Sequence, residues 1–283
     1  MNMATYMERK NLANTDIDDA RRTSIVDGVH RVLNGIEQAC ERSGRDVGNV
    51  QLLAATKTRD VGEIMAAIDA GVRMIGENRP QEVTAKAEGL LRLCAERGFA
   101  LGAAQADGED GEEGEPAGGS REHIPFHLIG QLQSNKIGKV LPVTDVIESV
   151  DSVELAEKIA RRAVARGIEV GVLLEVNESG EASKSGCNPA NAVMTAQRIA
   201  SMGGLRLQGL MTVGAHVDDE RVVAAGFAHL RRTREAILAS GAPGTELCTE
   251  LSMGMTSDMA IAIAEGSTIV RVGTAIFGER AYK

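Results

Sequence analysis

The chain has 283 residues, a formal net charge of −9 at neutral pH, no Trp, two Tyr and four Phe. This length allows one large α/β domain or two small ones. The core must be aliphatic, and the uncompensated negative charge argues against a nucleic-acid binder. The four Cys, at positions 40, 94, 187 and 248, form no C-x-x-C pair, and neither a signal peptide nor a long apolar run occurs. The expectation is therefore a cytoplasmic protein with reduced thiols, no metal site and no membrane segment.

Residues 1–22 are polar and irregular and are expected to form a flexible extension. From Thr23 to Ser43, Ile25, Val29, Val32, Leu33, Ile36 and Ala39 recur at helical spacing, which predicts an extra helix on one flank of the fold. The apolar run from Val50 then reads as a strand buried on both faces and ends on Lys57. An unpaired ammonium does not belong in a strand interior. Lys57 is thus either a strand-end lysine reaching water or a Schiff-base or phosphate-binding lysine. Asp60 is placed to cap the next helix, and Met74–Glu77 makes a very short strand followed by Asn78. A helix is expected over about 80–98. Behind it the composition breaks, with six acids and no base from Asp107 to Glu115. Such a run buries too little to fold and repels itself, so residues 103–122 are expected to be a disordered acidic insertion in one domain spanning 23–283.

The α/β rhythm then resumes. Strands are expected at 126–130, 146–150, 170–176, 207–213, 246–251 and 269–272, with helices between them. Eight strands alternating with helices favour a (β/α)₈ barrel of the TIM type over an open doubly wound sheet, and the first strand–helix turn has no G-x-G-x-x-G. After the last strand Gly273–Lys283 alone remain, so no second domain is expected to follow.

In such barrels the site lies at the C-terminal mouth, where Lys57, Asn78, the Ser252–Ser257 turn and Arg271–Thr274 leave their strands. That turn and Gly273–Thr274 offer hydroxyls and backbone N–H groups to a phosphate, and glycines let the chain come close. Arg271 alternates with Val270 and Val272, points into the barrel and needs a partner: a ring nitrogen, a phosphate or a carboxylate. A lysine on the first strand, an arginine on the last and a phosphate cup beside it describe a pyridoxal 5′-phosphate (PLP) pocket. Arginine keeps its proton and would leave a ring nitrogen largely unprotonated, a weak electron sink.

The segments Leu53-Ala-Ala-Thr-Lys-Thr58, Ile75-Gly-Glu-Asn78, His127-Leu-Ile-Gly-Gln-Leu-Gln-Ser-Asn-Lys136, Ser183-Lys-Ser-Gly186, Leu251-Ser-Met-Gly-Met255 and Val270-Arg-Val-Gly-Thr-Ala-Ile-Phe-Gly278 resemble the pyridoxal phosphate homeostasis protein family. Its members are single-domain barrels similar to the N-terminal domain of alanine racemase. The resemblance runs from about residue 45 to the C-terminus, interrupted by the acidic insertion. It implies PLP held as a covalent imine at Lys57, with Ser252, Gly254, Gly273 and Thr274 around the phosphate, Arg271 near the ring and Asn78 lining the pocket. It also implies a role in PLP homeostasis with no established catalytic reaction. The alternative is a PLP-dependent amino-acid racemase, which needs a second acid–base group opposite the lysine. Tyr6 and Tyr282 lie too near the ends to serve well. Expected partners are PLP and PLP-dependent apo-enzymes, with no nucleic acid and no membrane, and the expected state is a monomer.

Overall fold

The computed structural model describes residues 10–103, 121–181 and 185–279. Eight parallel strands close into a barrel: β1 (Gln51–Ala55), β2 (Ile75–Glu77), β5 (Phe126–Leu128), β6 (Val146–Val150), β7 (Val170–Glu175), β8 (Leu205–Met211), β9 (Glu250–Ser252) and β10 (Ile269–Val272). Around the ring the order is β1-β10-β9-β8-β7-β6-β5-β2, so consecutive barrel strands are neighbours and β10 closes against β1. The expected (β/α)₈ barrel is present, although its strand ends differ from the expected ones, most at β9, which starts at Glu250 and not at 246.

Helices cover the outside of the barrel: α1 (Asp19–Ser43), α2 (Val61–Asp69), α3 (Pro80–Glu96), α4 (Ile137–Val140), α5 (Val153–Val164), α6 (Ala192–Ala200), α7 (Glu220–Ala239), α8 (Met259–Ala264) and α9 (Thr274–Phe277). Most of the apolar core lies between these helices and the outward strand residues, such as Leu52, Ala54, Ile75, Val172 and Val270. Alternation along the strands sends the other set inward. There it makes two small clusters, Leu53–Met74–Ile269 and Val146–Leu173–Met211. Gly76 belongs to the inner set, since a Cβ on it would lie 2.5 Å from Leu53 Cδ2.

Three further features depart from the sequence reading. Between α3 and β5 the chain makes a small parallel pair outside the barrel, β3 (Phe99–Leu101) with β4 (Glu122–Ile124). Arg73 ties this pair down: its guanidinium lies 4.8 Å from the Phe99 ring centre and its Nε donates to Glu122 at 2.8 Å. Glu122, expected in the acidic insertion, is therefore in a strand, whereas 104–120 lie outside the described residues.

Residues 10–22, expected in the flexible extension, are also part of the fold, whereas 1–9 lie outside the described residues. Lys10 to Asp18 pack on the start of α2. Val61 and Gly62 donate their backbone N–H groups to the carbonyls of Leu12 and Asn14, at 3.1 and 2.9 Å. Lys10 reaches Glu63 at 2.6 Å, and Arg21 bonds the same carboxylate. Polar residues here mark a hydrogen-bonded clasp, which a reading based on apolar periodicity misses. Lastly, α1 starts at Asp19, four residues early, because Asp18 caps it by accepting from Arg21 N.

The flank helix α1 packs on α2, α8 and α9. It comes close at Gly28, where a Cβ would lie 2.4 Å from the Ile276 carbonyl oxygen of α9. One turn pair on, a Cβ at Gly35 would meet only the end of the Met259 side chain, at 3.3 Å. Alanine is worth about 1 kcal/mol over glycine in a helix interior, so helix propensity alone predicts that both glycine-to-alanine changes stabilise. Backbone overlap at Gly28 reverses this. Gly28→Ala is expected to lose about 1–3 kcal/mol and Gly35→Ala to be neutral or stabilising, measured by urea denaturation. Equal effects at both sites would show that α1 does not rest on α9 in this way.

Candidate functional site

The parallel registers assemble the mouth. Ala54 pairs with Val272 and Ala55 with Gly76. Lys57, two residues beyond β1, therefore leaves the barrel between Asn78, just past β2, and Gly273–Thr274, just past β10. On the far side of β10, the Arg271 N–H donates to the Gly254 carbonyl at 2.9 Å, which brings the exit of β9 alongside. Lys57, Asn78, Gly254, Arg271, Gly273 and Thr274 thus share one arc of the C-terminal mouth, contributed by four adjacent strands.

Two glycines in this arc sit where a side chain has little room. Gly254 has φ +96°, and a Cβ on it would lie 2.5 Å from Ala262 Cβ. At Gly273 a Cβ would come 3.0 Å from the Ala55 carbonyl oxygen. Next to them, the N–H groups of Thr274 and Ala275 open α9 and have no partner within it. Lysine, guanidinium, free backbone N–H groups and bare glycine backbone make a donor set suited to a phosphate-bearing anion.

Arg271 is 5% exposed. Its Nη1 donates to Ser252 Oγ at 2.7 Å and its Nη2 to the Thr212 carbonyl at 2.7 Å. Ser252 Oγ in turn donates to Glu148 Oε2 at 2.6 Å, and His127 Nδ1 lies 2.7 Å from Glu148 Oε1. Arg271 Nη1 is also 3.9 Å from Glu148 Oε2. Burial raises the Glu148 carboxyl, but the bonded His127, the Arg271 charge and the Ser252 hydroxyl outweigh it and hold the group below its ordinary range. Burial lowers the Arg271 pKa, against the attraction of Glu148, Asp258 and Glu175. The barrel interior thus carries a polar chain, His127–Glu148–Ser252–Arg271, between its two apolar clusters.

The structure brings the expected residues together. The Ser252 side chain is fully buried, and its hydroxyl is committed as donor to Glu148 and acceptor from Arg271, so it faces the barrel interior. Glu148 and Glu175 were not singled out as site residues by the sequence reading, which held the strand interiors to be aliphatic. The available signal was an acid inside a strand, Val146-Ile-Glu-Ser-Val150, where burial demands a partner. Across the mouth a cavity of about 350 Å³ is lined by Gln131, Glu175, Val176, Asn177, Ser185, Thr212 and Val213. Gln131 bonds Ser185 over it. Ser183, Lys184, Tyr6 and Tyr282 lie outside the described residues.

The family described as alanine racemase, N-terminal domain, matches residues 33–281. A pyridoxal phosphate homeostasis protein of Vibrio cholerae is 36% identical over 259 residues, covering 92% of this chain and 98% of its own. The chain belongs to the pyridoxal phosphate homeostasis protein family. A crystal structure of an unknown protein from Bifidobacterium adolescentis is 72% identical, with TM-score 0.88 over 95% of this chain and all of that one. PipY of Synechococcus elongatus PCC7942, solved with PLP bound, is 30% identical, with TM-score 0.65 over 86% of this chain and 99% of its own. Alanine racemase of Clostridium difficile 630 shares the fold at 14% identity, with TM-score 0.65 over 91% of this chain and 58% of its own.

Glu175 gives the mouth a pH-dependent signature. Burial pushes its carboxyl up to about 7, with the Asp151 charge adding and Arg271 opposing. The folded state therefore binds this proton more tightly than the unfolded chain. The stabilisation is complete below about pH 4.5 and is lost as pH rises to about 7. Glu175→Gln does not ionise, so it should gain on the wild type across that window, by about 3 kcal/mol at the top, and stay level above it. Urea denaturation of the ligand-free proteins at each pH checks this. Parallel stability curves would contradict it.

Proposed function

We propose that this chain binds PLP covalently, as an imine at Lys57, and serves intracellular PLP homeostasis as a carrier rather than as a catalyst. The observation that carries the proposal is the arc at the mouth, where four adjacent strands deliver a lysine, a buried arginine and a glycine-lined run of N–H donors. Membership of the family supports it, as does the PLP bound in the Synechococcus protein. PLP-dependent apo-enzymes are the proposed recipients. Among the described residues no helix is long and apolar enough to cross a membrane.

Each residue has an assigned task. Lys57 supplies the amine. Gly254, Gly273 and Thr274 receive the phosphate through backbone N–H groups and the Thr274 hydroxyl, and Asn78 lines the other side. Arg271 uses two of its five donors on Ser252 and Thr212, and is assigned to the ring nitrogen. Ser252 supports Arg271 and is not assigned to the phosphate. When bound, PLP supplies an electrophilic carbon and a conjugated ring able to take up negative charge. An arginine at the ring nitrogen keeps its own proton, which limits that capacity.

A racemase would need an acid–base group on each face of the substrate carbon. Glu77, which stands next to Asn78, is 0% exposed, turned away from the barrel interior and paired with Lys86 on α3, so it does not supply that group. The chain mixed with PLP is expected to develop a visible absorption band that Lys57→Ala loses while its far-ultraviolet circular dichroism is unchanged. Chiral chromatography of several L-amino acids should detect no efficient racemisation. Retention of the band in Lys57→Ala would refute the attachment site. Turnover of about 1 s⁻¹ or more, abolished in that variant, would establish the racemase instead.

A further inference from the structure

Both peptide groups that flank Lys57 are tied to one buried charge cluster. Lys86, on α3, is 0% exposed, as is Glu77, and Glu82 is 1% exposed. Lys86 Nζ donates to Glu77 Oε1 at 2.5 Å, to Glu82 Oε2 at 3.1 Å and to the Thr56 carbonyl at 3.0 Å, using all three of its protons. The Thr56 hydroxyl donates to the same Glu77 oxygen at 2.6 Å. On the other side of Lys57, the Thr58 N–H donates to Glu82 Oε2 at 2.6 Å. The carbonyl before Lys57 and the N–H after it are thus held by side chains one helical turn apart on α3.

The backbone between these two anchors is strained. Thr58 has φ +66°, the one non-glycine residue with positive φ among the described residues. For a β-branched side chain that conformation is a true outlier, and such strain persists where the surroundings impose it. The bland reading is that the cluster merely fastens α3 to β2. Apolar residues of similar volume commonly do that as well as or better than buried ions. Glu77 Oε2, moreover, is buried with no hydrogen-bond partner, an arrangement that does not serve packing. Burial pushes Glu77 up to about 7, with Lys86 opposing and Glu82 adding.

We infer that Glu77, Lys86 and Glu82 are positioning residues, which hold Thr56 and Thr58 so that the Lys57 side chain leaves β1 in the one direction that meets the phosphate-binding arc. Glu82 acts on the turn itself: by accepting from Thr58 N–H it keeps that residue in the left-handed region. Lys86 fixes the preceding carbonyl and orients both carboxylates. The inference rests on Lys57 being the attachment point for PLP.

The test uses the full chain, titrated with PLP and followed by absorbance and by visible circular dichroism, which reports the fixed orientation of the bound chromophore. Glu82→Ala is expected to weaken PLP binding at least tenfold and to reduce the visible dichroism per bound PLP. Glu82→Gln keeps a carbonyl oxygen for Thr58 N–H and should recover most of both. Thr58→Gly adopts the positive φ freely, so adding it to Glu82→Ala should restore part of the lost affinity, a rescue that a fastening role does not predict. Where Glu82→Ala does not fold, the pair Glu77→Gln/Lys86→Met, which removes one charge of each sign, is expected to give the same loss. Wild-type affinity and dichroism in the folded variants, with binding abolished in Lys57→Ala, would overturn the inference and leave the carrier proposal standing. Wild-type binding in Lys57→Ala would overturn the reading on which it rests.

Discussion

The structure depends on keeping one guanidinium inside a barrel. Arg271 stands on the last strand with its charge out of water, and an unpaired charge there would be costly. Three strands answer it: Ser252 from β9, the carbonyl after β8 at Thr212, and Glu148 from β6, itself braced by His127 of β5. Because these partners come from opposite sides of the barrel, the interior is satisfied only when the ring closes in its observed order. A buried polar group of this kind carries more information about register than an apolar contact does, since its hydrogen bonds tolerate little displacement.

The mouth owes its shape to the same arrangement. With Arg271 fixed, β10 delivers Gly273 and Thr274 beside β1, and the turn after β9 comes alongside through the Gly254 carbonyl. Lys57 is controlled separately, from outside the barrel, by the charge cluster on α3. The two buried polar systems therefore have distinct tasks. The inner one determines where the ring and phosphate of a cofactor would meet donors, and the outer one sets the direction of the amine.

Much of the fold was legible in the sequence because strands buried on both faces are nearly continuous apolar runs, and eight of them alternate with helices. The mouth was legible because the chemistry-bearing residues sit directly after those runs. Lys57, Asn78, Gly254, Gly273 and Thr274 all stand within a few residues of a strand's C-terminal end. Glu148 was missed because a single acid inside an apolar run leaves periodicity unchanged, and its partners stand 21 residues before it (His127) and 104 residues after it (Ser252). Ser252 was recognised as a site residue, but its bonds to Glu148 and Arg271 were not foreseen. The strand alternation places its hydroxyl inside the barrel, whereas its position at a strand exit suggested the phosphate. The clasp of residues 10–18 and the β3–β4 pair escaped notice because both are held by polar and backbone contacts over short segments, where apolar patterning is uninformative.

The central claim is that Lys57 is the point at which PLP is held. Borohydride reduction of the protein mixed with PLP, followed by digestion and mass mapping, tests it most directly, because reduction makes the lysine linkage permanent wherever it has formed. The account predicts a phosphopyridoxyl group on the peptide carrying Lys57, at close to one per chain. A label confined to other lysines, such as Lys136 or Lys139, with the Lys57 peptide unmodified, would contradict it.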